Sequence, residues 1–344
     1  MSGGLPPFGL GEERVSPGEG RIAEQTLALV KRGLIETPPG ELVKRDAHPK
    51  AHGCVHGWFK VSPDVPEALR HGLFATPASY PVWIRFSNGN QTPDNKGDIR
   101  GMGIKLCQVP GEKILPDEKE TQDFLLIADR VMPVGGPAEY LALFEALINK
   151  SPWAAIKGIP PVHLLRAILL LAKTARFKPT NPLLFPYWST TPYKLGSGAV
   201  KYSARPCASM NAQDAKRPED PGPNFLRAVM AELLEERDAC FDFMVQPQID
   251  PVTMPIEDAA IEWSEEASPF VEVATIHIPA QQFRSPGQDA FCENLSINPW
   301  HALPEHRPLG GINRIRRAVY EAISEYRHLR NDAPRIEPTG DERF

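Results

Sequence analysis

Four stretches between residues 53 and 129, GCVHGWFKV, PVWIRFSNG, IRGMGIKLC and TQDFLLIAD, alternate bulky side chains with small or polar ones. A period of two marks a strand with one buried face. Four such strands in succession, joined by turn-rich loops, predict an antiparallel sheet that curls into a barrel. Strand patterns return in AVKYSARP, ACFDFMVQPQ and FVEVATIHIP. Helical spacing of apolar residues marks roughly 19–32, GPAEYLALFEALINK, PVHLLRAILLLAKTARF, FLRAVMAELLEERDA and INRIRRAVYEAISEYRHLR. The 37 prolines argue against a mostly helical architecture. The expected fold is therefore α+β, an antiparallel β-barrel with peripheral helices. Its parts are a helical arm over 1–40, one barrel domain with helical insertions over 41–330, and a flexible tail over 331–344.

Charge narrows the functional classes. The net charge is −5 without a long basic run, which gives nucleic-acid binding little support. Five cysteines, Cys54, Cys107, Cys207, Cys240 and Cys292, are scattered with no CxxC pair. They read as free thiols in a reducing cytoplasm. The start, MSGGLPPFGLGEER, lacks the basic and apolar regions of a secretory signal. The most apolar run, HLLRAILLLAKTARF, is too short to span a bilayer and carries Arg166 and Lys173, so no integral membrane segment is expected, and core packing is its expected fate.

The segment RDAHPKAHGCVHGWFKV places His48, His52 and His56 four residues apart. On a helix they would share a face and suggest zinc. Pro49, Gly53 and Gly57 each follow a histidine and make a poor helix. On a strand successive members lie about 13 Å apart, too far for one ion. His52 and His56 read as exposed or capping residues.

His48 has more specific surroundings. Arg45-Asp-Ala-His48 resembles the distal haem segment of catalases, in which an arginine three residues before the essential histidine binds a haem propionate. Trp83-Ile-Arg85-Phe86-Ser87 and Asp98-Ile-Arg100-Gly101-Met-Gly-Ile-Lys105 resemble a second catalase stretch. Tyr187-Trp-Ser-Thr-Thr-Pro-Tyr193-Lys194-Leu195-Gly196 is similar to the segment carrying the iron-ligating tyrosine. The likeness runs over roughly 40–280. The chain is shorter than a typical catalase subunit and looks like the short catalase-related haem proteins.

The resemblance implies haem b, ligated by Tyr187, with Tyr193 as the alternative ligand. It implies that Arg45, Arg85 and Lys194 bind the propionates, a task that suits guanidinium because it pairs bidentately with carboxylate. His48 would move the proton of the peroxide as general base and then acid, and Ser87 would fix its tautomer. Phe124, Phe86 and Phe144 are candidates for packing the haem face or for plain core roles. Two departures stand out. Leu183 occupies the place of an arginine expected four residues before the ligating tyrosine, leaving Arg176 as a substitute cation. No asparagine falls beside the histidine, where Thr121 or Gln122 would substitute. The expected function is a haem peroxidase using hydrogen peroxide or organic hydroperoxides and a small-molecule reductant, with weak catalase activity and a dimeric state. The alternatives are a fatty-acid hydroperoxide isomerase or dehydratase that needs no reductant, and a non-catalytic haem-binding protein.

Overall fold

The alternating stretches become a closed sheet in a computed structural model, which describes residues 8–210 and 217–344. Residues 1–7 of the expected arm and 211–216 of the polar insert lie outside the described residues. The strands are β1 (Lys50–Val61), β2 (Ser79–Asn88), β3 (Arg100–Leu106), β4 (Gln122–Ile127), β5 (Tyr187–Trp188), β6 (Tyr193–Leu195), β7 (Gly198–Pro206), β8 (Ala239–Pro247) and β9 (Val271–Ile278). They run in the order β5-β4-β3-β2-β1-β9-β8-β7-β6, every pairing is antiparallel, and a β5–β7 pairing closes the ring. Eight strands thus form the barrel, and β6 flanks β7. Closure leaves the eight-strand ring without a free edge.

The period of two decides what each wall presents. On β2, Val82, Ile84 and Phe86 enter the barrel core, whereas Arg85 and Ser87 belong to the opposite face. The interior is packed with aromatic rings, including Phe59, Phe124, Tyr202, Phe241 and Phe243. Phe124 stacks on Phe59 at 6.3 Å and meets Phe243 at 4.8 Å.

Helices build a second layer outside the barrel: α1 (Glu19–Ile35), α2 (Pro137–Ile148), α3 (Trp153–Gly158), α4 (Pro161–Arg176), α5 (Phe225–Glu236), α6 (Pro286–Asn294) and α7 (Gly311–Arg330). Helix α1 packs on α2 and α7 through a core containing Val30, Tyr140, Ile312, Ile315 and Val319, so the described part of the expected arm is integral to this layer. No helix of the described residues is long and apolar enough to cross a membrane.

Three expectations are corrected here. Cys54–Cys292 and Cys207–Cys240 are disulfide-bonded, and only Cys107 is a free, buried thiol. Cysteines far apart in sequence meet because the sheet brings β1 to α6 and β7 to β8. The tail is packed rather than loose: Glu337 accepts the backbone N–H groups of Lys119 and Glu120, and Trp83 Nε1 donates to Glu342 at 2.8 Å. His52 is buried, with neither ring nitrogen hydrogen-bonded, rather than exposed or capping.

Candidate active site

A pocket open to solvent lies between the outer face of β2–β3–β4 and α7. His48 enters it from the turn before β1, with a left-handed backbone (φ 58°) held by its N–H donating to Gly89 O. Its Nδ1 lies 3.1 Å from Ser87 Oγ, which orients the ring and leaves Nε2 for a ligand. Gly101 pairs with Ser87 across the β2–β3 ladder, and a Cβ there would sit 2.4 Å from His48 Nδ1. The imidazole therefore occupies space that only glycine leaves open. Burial, reinforced by the nearby Arg85 and Arg316 charges, pushes the His48 pKa down to about 3. His48 is neutral at physiological pH and free to accept a proton.

Cations gather at the same end. Arg45 pairs with Glu293 at 3.2 Å and donates to the carbonyl oxygens of Cys292 and Leu295. Arg327, on α7, shares Glu293 at 2.9 Å. Arg85 Nη1 donates to His48 O at 2.9 Å, but its Nε and Nη2 are buried without a partner. Burial lowers the pKa values of all three guanidinium groups, Arg85 to about 10. The other carboxyl group, Asp46, is pushed up by burial. Positive charge is left in excess, and a buried guanidinium with two idle donors is matched to a carboxylate.

The opposite wall is α7. Tyr320 and Arg316, one turn apart, both line the cavity that His48 lines, and the Arg316 guanidinium lies 5.9 Å from the centre of the Tyr320 ring. Burial raises the pKa of the phenol, and Arg316 opposes that rise. A second pocket shares Arg45, Ala47, Ile297 and Tyr320 with the first and extends to Asn298 and Arg327. Gly101 and Gly103 contribute no side chains to the wall, and Leu125, Ile127 and Ile297 make it apolar. The orphaned Arg85 donors and the phenol beside Arg316 match in chemistry the carboxylates and the metal of a dianionic macrocycle such as haem.

His48, Ser87, Arg45 and Arg85 come together here, but other predicted site residues do not. Tyr187 sits inside the barrel, its hydroxyl donating to Pro182 O at 2.8 Å among Phe86, Phe185 and Phe241. Tyr193, the alternative, is buried against Tyr202 in the same core. Phe86 and Phe124 face that core too, and Phe144 packs among the helices. Lys194 lies on β6, paired with Ala199 and away from the cavity. Thr121 bonds Glu118 in a buried cluster where Lys105, Asp123 and His301 also meet. The Lys105 ammonium lies 2.8 Å from Asp123 and also contacts Glu118, supplying that cluster's cation itself. Gln122 accepts from the Leu303 N–H, and Arg176 is exposed on α4.

Neither a family model nor a curated protein sequence matches the chain. Solved structures do. A fungal catalase aligns over 99% of this chain and 67% of its own with a TM-score of 0.63 at 13% identity. Catalase A from Saccharomyces cerevisiae gives 99%, 69%, 0.62 and 14%. A bacterial catalase gives 96%, 68%, 0.57 and 15%. The fold is catalase-like. At these identities the likeness fixes the architecture and not the activity.

Within the catalase-like fold, the residues that the sequence reading missed all lie on α7. Arg316 precedes Tyr320 by four residues, the spacing sought before Tyr187 and found there filled by Leu183. Arg327 lies seven residues, two turns, beyond Tyr320 on the same helix. An arginine and a tyrosine one turn apart on the final amphipathic helix were the available signal.

Proposed function

We propose that the protein is a haem-dependent peroxidase that reduces hydrogen peroxide or organic hydroperoxides at the expense of a small-molecule reductant. The observation that carries this reading is that neutral His48, backed by Ser87, and Tyr320, backed by Arg316, wall one cavity. Tyr320 would hold the iron, with Arg45, Arg85 and Arg327 on the two carboxylates. When bound, haem supplies the two-electron chemistry that cleaves an O–O bond.

The chain supplies the proton handling. His48 Nε2 accepts the hydroperoxide proton and returns it to the oxygen that leaves as water or alcohol. Ser87 keeps the ring aligned for both transfers. Arg316 stabilises negative charge on the Tyr320 oxygen, offsetting the effect of burial. Among the described residues no asparagine or glutamine lines the part of the site that His48 lines, Asn298 belonging to the adjoining cavity, and the wall is apolar at Leu125, Ile127 and Ile297. That composition favours reduction of an organic hydroperoxide over dismutation, which must orient a second hydrogen peroxide. The same apolar wall also suits rearrangement of a hydroperoxide without a reductant, and reductant consumption per peroxide separates the two.

The test is reconstitution with haemin. His48→Ala should retain the Soret band and lose about 100-fold or more in peroxide cleavage. Tyr320→Phe should shift the band and weaken retention, while Tyr187→Phe leaves both unchanged. A shift in Tyr187→Phe alone would return the ligand to the barrel interior and defeat the assignment.

A further inference from the structure

Helix α4 turns its apolar side chains away from the protein. Ala167 and Leu170 face inward, whereas Leu165, Ile168, Leu169 and Leu171 are 54–60% exposed. Leu165, Ile168, Leu169 and Ala172 fall at helical i, i+3, i+4 and i+7 spacing and form one stripe. On a water-facing helix that stripe would be polar. Neighbouring elements extend it: Trp153 on α3 is 65% exposed, and Ile156, Val162 and Leu147 are exposed as well. An apolar surface this continuous marks an interaction site.

Charge identifies what it meets. Between residues 146 and 178 the chain carries Lys150, Lys157, Arg166, Lys173, Arg176 and Lys178 and no acidic residue, although the whole chain is net negative. All six cations are exposed. Apolar side chains ringed by cations, with an exposed tryptophan, match the interface of an anionic bilayer. A second copy of this chain would set six cations against six, which opposes self-association through this face. Behind the last turns of α4 an open pocket is lined by Phe177, Phe185 and Trp188, with Arg176 and the Lys173–Asp129 ion pair (2.8 Å) at its polar side.

We propose that the α3–α4 face docks the protein on anionic lipid bilayers, lying in the headgroup region without crossing it. The docking would present the molecule to peroxidised acyl chains, and that extension rests on the peroxidase reading. The docking itself does not.

Sedimentation with vesicles tests it on the full chain. Binding is expected to vesicles containing phosphatidylglycerol, to be weak on pure phosphatidylcholine, and to fall as salt rises. Leu165→Ser with Leu169→Ser, and separately Lys157→Glu with Arg166→Glu, should each weaken binding about tenfold or more. These surface changes should leave the melting temperature in place, and His48→Ala should bind vesicles like the parent. No binding to either vesicle, or binding indifferent to lipid charge and to both double variants, would overturn the proposal. A concentration-dependent dimer dissolved by the serine pair would assign the face to a second copy instead.

Discussion

Gly101 and His48 meet so closely that a single methyl group at 101 must drive the ring off Ser87. Gly101→Ala is expected to lower kcat/KM for peroxide about tenfold or more while the Soret band persists, because the base is displaced and the haem walls are not. Arg85 gives a prediction of opposite sign. Its guanidinium is buried with two donors idle, which costs free energy in the haem-free chain. Arg85→Met should therefore stabilise the apoprotein by about 1–2 kcal/mol in urea unfolding and weaken haemin binding in titration. The distal half of this site was legible in the sequence, since Arg45, His48, Arg85 and Ser87 lie on two adjacent stretches whose spacing fixes which side chains share a face. The proximal half was not. Tyr187 and Tyr193 carry a suggestive motif, but both side chains lie in the barrel core, and only the packing of α7 brings Tyr320 to the cavity that His48 lines.

Helix α7 carries Arg316, Tyr320 and Arg327, so whatever seats α7 seats half the site. Its N-terminal turn is pinned by Arg314, which pairs with Glu13, Glu19 and Glu257 and whose pKa is raised by Glu19 and Glu257 against the pull of burial. Arg314→Ala leaves three carboxylates facing one another and should destabilise by about 2–4 kcal/mol, with a matching loss of haem retention read by Soret titration. Phe124→Ala should cost about 3–5 kcal/mol through a cavity in the barrel core, yet leave the haem spectrum as it was. Most elements were readable because long alternating or helical patterns survive inspection of one sequence. β5 and β6 are two and three residues long, too short to show a period. Expecting α4 to pack in the core follows from its hydrophobicity alone, which says nothing of what lies beside it.

The molecule as a whole should titrate one thiol when unfolded without reductant and none when folded, since only buried Cys107 lacks a partner. Five reactive thiols would remove both bridges. Acid destabilises the folded chain. Burial pushes His48, His52 and His306 down to about 3, so between that value and the ordinary 6.5 the unfolded chain holds protons that the folded chain refuses. Stability therefore rises with pH across this window, each histidine adding up to about 1.4 kcal/mol per pH unit. Urea unfolding at pH 5 and 7 measures the slope, and His52→Gln should reduce it by one proton. The two-faced wall of β2 carries one more implication. A one-residue slip would trade Arg85 and Ser87 for Ile84 and Phe86, driving ions into oil and grease into the pocket in a single move. A mis-threaded barrel of this sequence could not linger as a sound but inert shell, because the error that blinds the site also ruins the interior.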